Sequence, residues 1–483
     1  MVPPLALPLG RSFFTRGALV LTLATATAWA LPPASPPAPA RAQSTPAITS
    51  TATVTPYPRL PELTVASDYQ LTQDGRDVPI YEVAAGRFAL LRATGPITLN
   101  LSRIGGRPLS SATLRPTLAT TPLRLKSGTV TFRLSGPGSA ALELDGDQEK
   151  PLFLFVNPPE TPPAPSAVTY FFGPGQVHVL PEGKLRLRDG ESAYIAGGAL
   201  VQGVIEAKGT RSTPVKNIRI YGQGVVDPGE PGQPLTLINV QNAQVEGLTL
   251  LNSKAWSVRL FDVSKVRLSG LRIFATGPFS DGLDIMGASD VTVRDCFIHS
   301  QDDCVAIKGT KYNFGGNVER VSLENLVIWK ALSGNGIEIG YETGVDYIRD
   351  ITVRNIAILH VGRREKTFRR AALSIHNSGH AEVSNVLYED ITIEQASENL
   401  IYLGIAKSAF AQRQKPGVIR NVTYRRVRYL NGPTVPSVFD GADAPANIHG
   451  ITFTDCSYLG NPIKTPESFG LKFGKQTPSP TFR

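Results

Sequence analysis

The sequence predicts an all-β protein: a right-handed parallel β-helix preceded by a small β-sandwich. Two observations carry that prediction. An eight-residue pattern recurs along the second half of the chain: apolar-x-apolar, two polar or small residues, apolar-x-apolar. It reads VRLSGLRI (266–273), VTVRDCFI (291–298), VSLENLVI (321–328) and ITVRNIAI (351–358), with looser copies at 243–250, 386–393, 422–429 and 451–458. Their starts lie 23 to 36 residues apart, too far for hairpins, so each copy supplies two short strands and a bend of one coil. A coil of this kind is stable only when neighbouring coils cover it, which makes the unit a solenoid. The second observation is composition. Glycine (45) and proline (39) are abundant while charged residues are only 18%, a balance that favours many turns over long helices.

Taken in order, residues 1–30 read as a secretory signal peptide. Arg11 and Arg16 form its charged region, Gly17 to Thr27 its apolar stretch, and Ala28 to Ala30 a cleavage site, with a second small-residue site at Ala40 to Ala42. The apolar stretch is short for a bilayer span, so the expected location is secreted or periplasmic, with no membrane association once the signal is removed. Residues 43–56 are a Pro/Ser/Thr linker too poor in apolar residues to fold alone. From 57 to 157, ITLNLS, VTFRLSG, LELDG and LFLFVN alternate with turns and predict the sandwich, as an accessory module. A second proline-rich linker covers 158–167, the β-helix runs over 168–462, and 463–483 is a tail. Cys296, Cys304 and Cys456 are too few for a disulfide framework, and two of them fall on apolar positions of the repeat. The formal charge of +9 is a mild basic excess without the interleaved aromatics of a nucleic-acid groove, so no nucleic-acid partner is expected and the chain reads as a monomer.

Each coil needs a third strand, and these lie between the repeats: WSVRL (256–260), DGLDI (281–285), DCVAI (303–307), NGIEI (335–339), AALSI (371–375) and NLIYL (399–403). Period-two geometry sends Val258/Leu260, Leu283/Ile285, Val305/Ile307, Ile337/Ile339, Leu373/Ile375 and Ile401/Leu403 inward. The residues between and just beyond them then form an outward face rich in Arg259, Asp284, Lys308, Glu338, His376 and Tyr402, on rungs about 4.8 Å apart. Such charged and aromatic neighbours suit a sugar-binding cleft, and these residues with Asn335 are the expected substrate contacts. On the same register Asp281 opens one rung, Asp303 opens the next, and Asp302 stands just before it. Three carboxylates so close cannot all ionise easily, and a protonated acid beside ionised ones is what glycosidic hydrolysis requires.

The ordered series SDGLDI (280–285), QDDCVAIKG (301–309) and GNGIEIG (334–340), with NSKAW (252–256) ahead of it, resembles glycoside hydrolase family 28, the polygalacturonase type, over roughly Tyr170 to Asn461. The resemblance implies Asp302 as general acid, Asp281 and Asp303 holding and activating water, inversion of configuration, and no metal or other cofactor. The chain departs from that family at Asn335, where the family has histidine, and at Ser374-Ile375-His376, where the family has an Arg-Ile-Lys strand. The stretch VIWKALSGNGIEIGYE (327–342), the DDCVAIKG segment and the preceding β-rich domain also look similar to family 49, the dextranase type, which cuts neutral glucans. GRREKTFRR (362–370) argues for an anionic substrate, with Arg363, Arg364, Arg369 and Arg370 leading into a cleft strand.

The expected activity is therefore hydrolysis of a pectic or other plant or microbial polysaccharide. Three alternatives remain at this level: a neutral-glucan hydrolase, a uronate lyase with Lys308 or Arg259 as base, and a non-catalytic glycan-binding β-helix.

Overall fold

The computed structural model describes residues 56–483 except 118–122, 230–231, 254, 312, 331–332, 363–369, 409–414 and 443–446. The signal peptide, nearly all of the first linker, and Arg363, Arg364 and Arg369 of the basic segment lie outside the described residues. No α-helix occurs among those that are described.

Residues 69–157 form two five-stranded sheets. One is antiparallel throughout, with Ile97–Arg103 paired to Tyr69–Gln73 on one side and to Thr129–Leu134 on the other. In the second sheet Asp147–Asn157 lies between Gly138–Leu144 and a parallel partner, Gly86–Arg92. The run LFLFV (152–156) explains how this sheet is used. Leu152, Leu154 and Val156 join the core between the two sheets, while Phe153 and Phe155 point the other way. A strand apolar at every position is one buried on both faces. The outer cover is the β-helix itself: Phe153 and Phe155 pack with Phe274, Phe297, Trp329 and Leu359 from its third face. The linker is likewise fastened, because the Glu160 carboxylate accepts the Gly197 and Gln223 amides at 3.0 Å each.

From Tyr170 onward 31 strands form one array, parallel throughout except where Ser457–Tyr458 meets Asn461–Pro462. A representative coil consists of Val258–Phe261, Ser264–Ser269 and Arg272–Ala275, paired in turn with Leu283–Met286, Ser289–Arg294 and Phe297–Ser300 of the next. The register of the first face runs Val258, Leu283, Val305, Ile337, Leu373, Ile401. All twelve inward residues predicted from the period are at most 1% exposed and belong to one core. Residues 463–483, expected as a tail, extend the solenoid instead: Leu471–Phe473 pairs with Ser437–Asp440, and Thr481–Phe482 with Ile448–Thr454. All three cysteines are free and buried.

The bends between the second and third strands explain the two polar residues of the repeat. The second of each pair adopts a left-handed backbone, with φ of 57° at Asp295, 54° at Asn325, 54° at Asn355 and 55° at Asp390. Asn and Asp tolerate that region better than other residues with a Cβ. Their side chains also ladder along the solenoid. Asn355 donates to Asn325 Oδ1 at 2.6 Å, and Asn325 donates to Asp295 Oδ1 at 3.0 Å. Asn325→Ala should therefore cost about 1–2 kcal/mol in urea unfolding, from backbone strain and two lost surface hydrogen bonds. Asn325→Gly should recover the strain part only.

Candidate active site

The three aspartates sit in equivalent loops of successive coils. Asp281 lies between Arg272–Ala275 and Leu283–Met286, while Asp302 and Asp303 lie between Phe297–Ser300 and Val305–Lys308. Backbone hydrogen bonds hold these loops in stack: Asp302 N–H donates to Ser280 O at 3.3 Å, Gly282 N–H to Asp303 O at 2.8 Å, and Cys304 N–H to Asn335 O at 3.0 Å. One carboxylate oxygen from each aspartate then falls within 4.8 Å of the others. Asp281 and Asp303 are buried at 4% and 6% exposure, whereas Asp302 is partly open.

Their surroundings differ. Asp302 Oδ1 accepts the Asp303 amide at 3.0 Å. Asp303 Oδ1 accepts two hydrogen bonds from Asn335, from its backbone at 2.6 Å and its Nδ2 at 3.0 Å. The Asn335 amide is oriented because its Oδ1 accepts the Ala371 N–H at 2.8 Å. The preceding residue must be glycine: at φ +77°, a Cβ on Gly334 would lie 2.3 Å from Asp302 Oδ1 and 2.4 Å from the Asp303 nitrogen.

Asp281 is paired differently. Lys308 Nζ stands 2.7 Å from Asp281 Oδ2 and 2.6 Å from Asp284 Oδ1, with the Trp256 ring 3.9 Å away on another side. Burial works against the Lys308 charge, but Asp281, Asp284, Glu342 and Asp303 outweigh it and hold the ammonium well above its ordinary pKa. Burial, then the Asp281 charge, raises Asp302 to about 6, against the opposing charges of Lys308 and Arg370. Burial and both neighbouring aspartates also push Asp303 upward. Burial and the crowding of like charges thus favour the protonated forms of Asp302 and Asp303. The three aspartates also have the spacing of a cation's donor set, and Lys308 already supplies positive charge beside Asp281.

The remaining expected contacts are mostly enclosed. Asp284 and Glu338 are 0% exposed and Tyr402 is 2%, so these three do not form an open sugar-binding face. Asp284 anchors Lys308. Glu338 accepts from the His376 backbone at 3.1 Å and meets His376 Nδ1 at 2.9 Å. The His376 ring stacks between Tyr341 and Tyr402, with centroids 4.1 and 4.2 Å away. Arg259 is half-buried and bonds sideways to Thr236 Oγ1 at 2.8 Å. The outward register was as expected. What covers it is an aromatic and hairpin layer that includes Trp256 and the antiparallel pair Thr310–Lys311 and Phe314–Gly315.

The sequence model for "Glycosyl hydrolases family 28" matches residues 201–443, half of the chain, and spans every residue of this constellation. The chain belongs to that family. Among curated relatives of this family 28 chain, a probable polygalacturonase of Vitis vinifera is 25% identical over 49% of this chain and 54% of its own length. A polygalacturonase of Medicago sativa is 25% identical over 63% and 67%. The chain spans about half the length of the first of these relatives. In fold, it resembles Dex49A from Penicillium minioluteum, with a TM-score of 0.58 at 14% identity over 89% of this chain and 96% of that one. Within the family 28 region, Gly334 and Trp256 are site residues that a search for charged groups passes over. Both lie inside stretches with a recognisable pattern, GNGIEIG and NSKAW.

Proposed function

We propose that the chain hydrolyses glycosidic bonds of an acidic polysaccharide of the polygalacturonan type, as an exported monomer. The observation that carries the reading is the meeting of Asp281, Asp302 and Asp303 within 4.8 Å on adjacent coils. Asp302 is the general acid: it is the only one of the three open to solvent, and its raised pKa of about 6 keeps a proton available. Asp281, tied to Lys308, and Asp303, whose carboxylate two Asn335 N–H donors favour against the rise that burial gives it, are held as acceptors for the attacking water. Those ties favour water over direct carboxylate attack and support inversion. The anomer formed first, read by proton NMR, decides between them.

Two features favour an anionic substrate. The Arg370 charge reaches Asp302, and the relatives' names specify polygalacturonase. The lyase alternative loses its bases, since Lys308 is buried in two ion pairs and Arg259 is bonded to Thr236.

The test is reducing-end release from polygalacturonan and dextran, with and without chelator. Release from polygalacturonan alone, indifferent to chelator and without unsaturated products, is expected. Release from dextran alone would overturn the substrate reading. The rate should fall as pH rises through about 6, because Asp302 then loses the proton it must donate.

A further inference from the structure

Phe279 stands apart from every other residue of the site loops. Its side chain is 78% exposed, and its φ of +58° places a bulky aromatic residue in the left-handed region, which such residues avoid. A loose loop does not account for either feature. Thr276 and Gly277 donate their amides to Ser253 O at 2.9 and 3.2 Å, Ser280 N–H donates back to Gly277 O at 3.2 Å, and Ser280 O accepts the Asp302 amide at 3.3 Å. The Ser280 hydroxyl also bonds Gly277 O, and Ser280 is fully buried. The loop is therefore fastened to the coil below and to the coil that carries Asp302, while one ring projects into water. Phe279 is two residues from Asp281, so its Cα is at most about 7.6 Å from that of the aspartate.

We propose that Phe279 is a stacking platform for a pyranose ring of the substrate, bound beside the three carboxylates. This rests on the hydrolase reading above and adds a specificity element to it. A pyranose ring presents an apolar face of axial C–H groups, and an aromatic ring without a polar tip packs on that face while hydroxyl and carboxylate substituents stay at the rim. Strain held at a fixed backbone position beside reacting groups is how a site keeps such a surface in place. Recognition of the ring face is indifferent to charge, so this share of the affinity should not be screened by salt.

The experiment uses Phe279→Ala, Phe279→Asn and Phe279→Trp in the full chain. On polygalacturonan the first two should raise KM about tenfold, the scale of one lost aromatic contact, with kcat within about twofold. The rise should be equal at low and high ionic strength. Phe279→Trp should restore KM. In a Phe279→Trp/Asp302→Asn double variant, the added indole emission should change on titration with oligogalacturonide, relative to the Asp302→Asn parent. Phe279→Asn, whose side chain tolerates the left-handed region, should melt above the native protein.

Unchanged KM in both the Ala and Asn variants would overturn the platform, as would an indole blind to a saccharide that the parent binds. An altered oligomeric state with unchanged KM would also overturn it and mark a protein-docking residue. Failure of the native chain to release reducing ends would sink the hydrolase reading alone, because the fluorescence titration needs no turnover.

Discussion

Asp302→Asn is expected to lower kcat on polygalacturonan by about 10²- to 10⁴-fold, the usual contribution of a positioned general acid. The amide cannot donate the proton that the leaving oxygen requires, yet its Oδ1 can still accept the Asp303 N–H now held at 3.0 Å. Because Asp302 is partly open and makes that local bond through an oxygen the variant keeps, folding stability should change by less than about 1 kcal/mol. Saccharide affinity, measured by calorimetry, should stay within about threefold. Asp303→Asn provides the contrast. Asp303 Oδ1 faces two N–H donors of Asn335, so an amide there either sets its own donor against them or weakens both bonds by offering a neutral oxygen in place of a carboxylate. That variant should lose stability as well as rate. Equal stability losses in the two variants, or an Asp302→Asn protein with more than a tenth of native kcat, would contradict the assignment. Residual activity in Asp302→Asn should also lose the decline near pH 6, since the titrating group is gone.

How far the sequence alone reached differs by level. The interior was fully legible because a period of two leaves one choice for each side chain, and the rung order Val258, Leu283, Val305, Ile337, Leu373, Ile401 followed from aligning the strands. The convergence of Asp281 with Asp302 and Asp303 was legible for the same reason: equal positions on successive coils must meet. The fate of the outward face was not. Whether Asp284 or Glu338 meets water depends on Trp256 and the pair Thr310–Lys311 and Phe314–Gly315, whose paths no local pattern fixes, and on the stacking of Tyr341, His376 and Tyr402 across successive strands, which a period of two does not reveal. Buried, the same residues change task. Asp284 becomes the second anion for Lys308, a pairing the register does allow, since Asp284 lies opposite Ala306 and Lys308 lies two residues further on. The run LFLFV was read only as a sandwich strand; its outer partner, the third face of the solenoid with Phe274 and Phe297, is a contact across more than a hundred residues that no local pattern shows.

Lys308→Met should have the largest effect on stability. The native ammonium is 3% exposed and lies between Asp281 at 4% and Asp284 at 0%. Removing it leaves two carboxylates facing each other with little water to solvate them, a loss on the scale of 3–5 kcal/mol for a broken buried pair. The loss should depend on pH, and the sign can be worked out. Burial already raises Asp284 well above the ordinary carboxyl value, and Lys308 is the first group that opposes the rise. Without Lys308 the folded-state pKa climbs further, so the folded variant binds a proton that the unfolded chain, with a pKa of about 3.9, has released. Stability then falls as pH rises from about 4 toward the folded pKa and recovers as pH falls. Urea unfolding should show a larger deficit at pH 8 than at pH 5. Adding Asp284→Asn to Lys308→Met should recover part of the deficit at pH 8, since one of the two carboxylates that had faced the ammonium is then gone. A Lys308→Met protein that loses less than about 1 kcal/mol at pH 8, or loses equally at both pH values, would mean that Lys308 is not what allows the aspartates to share this space. The same variant reads the chemistry: without the Lys308 contact at 2.7 Å the Asp281 side chain loses what holds it in place, so kcat should fall even at temperatures where the fold persists.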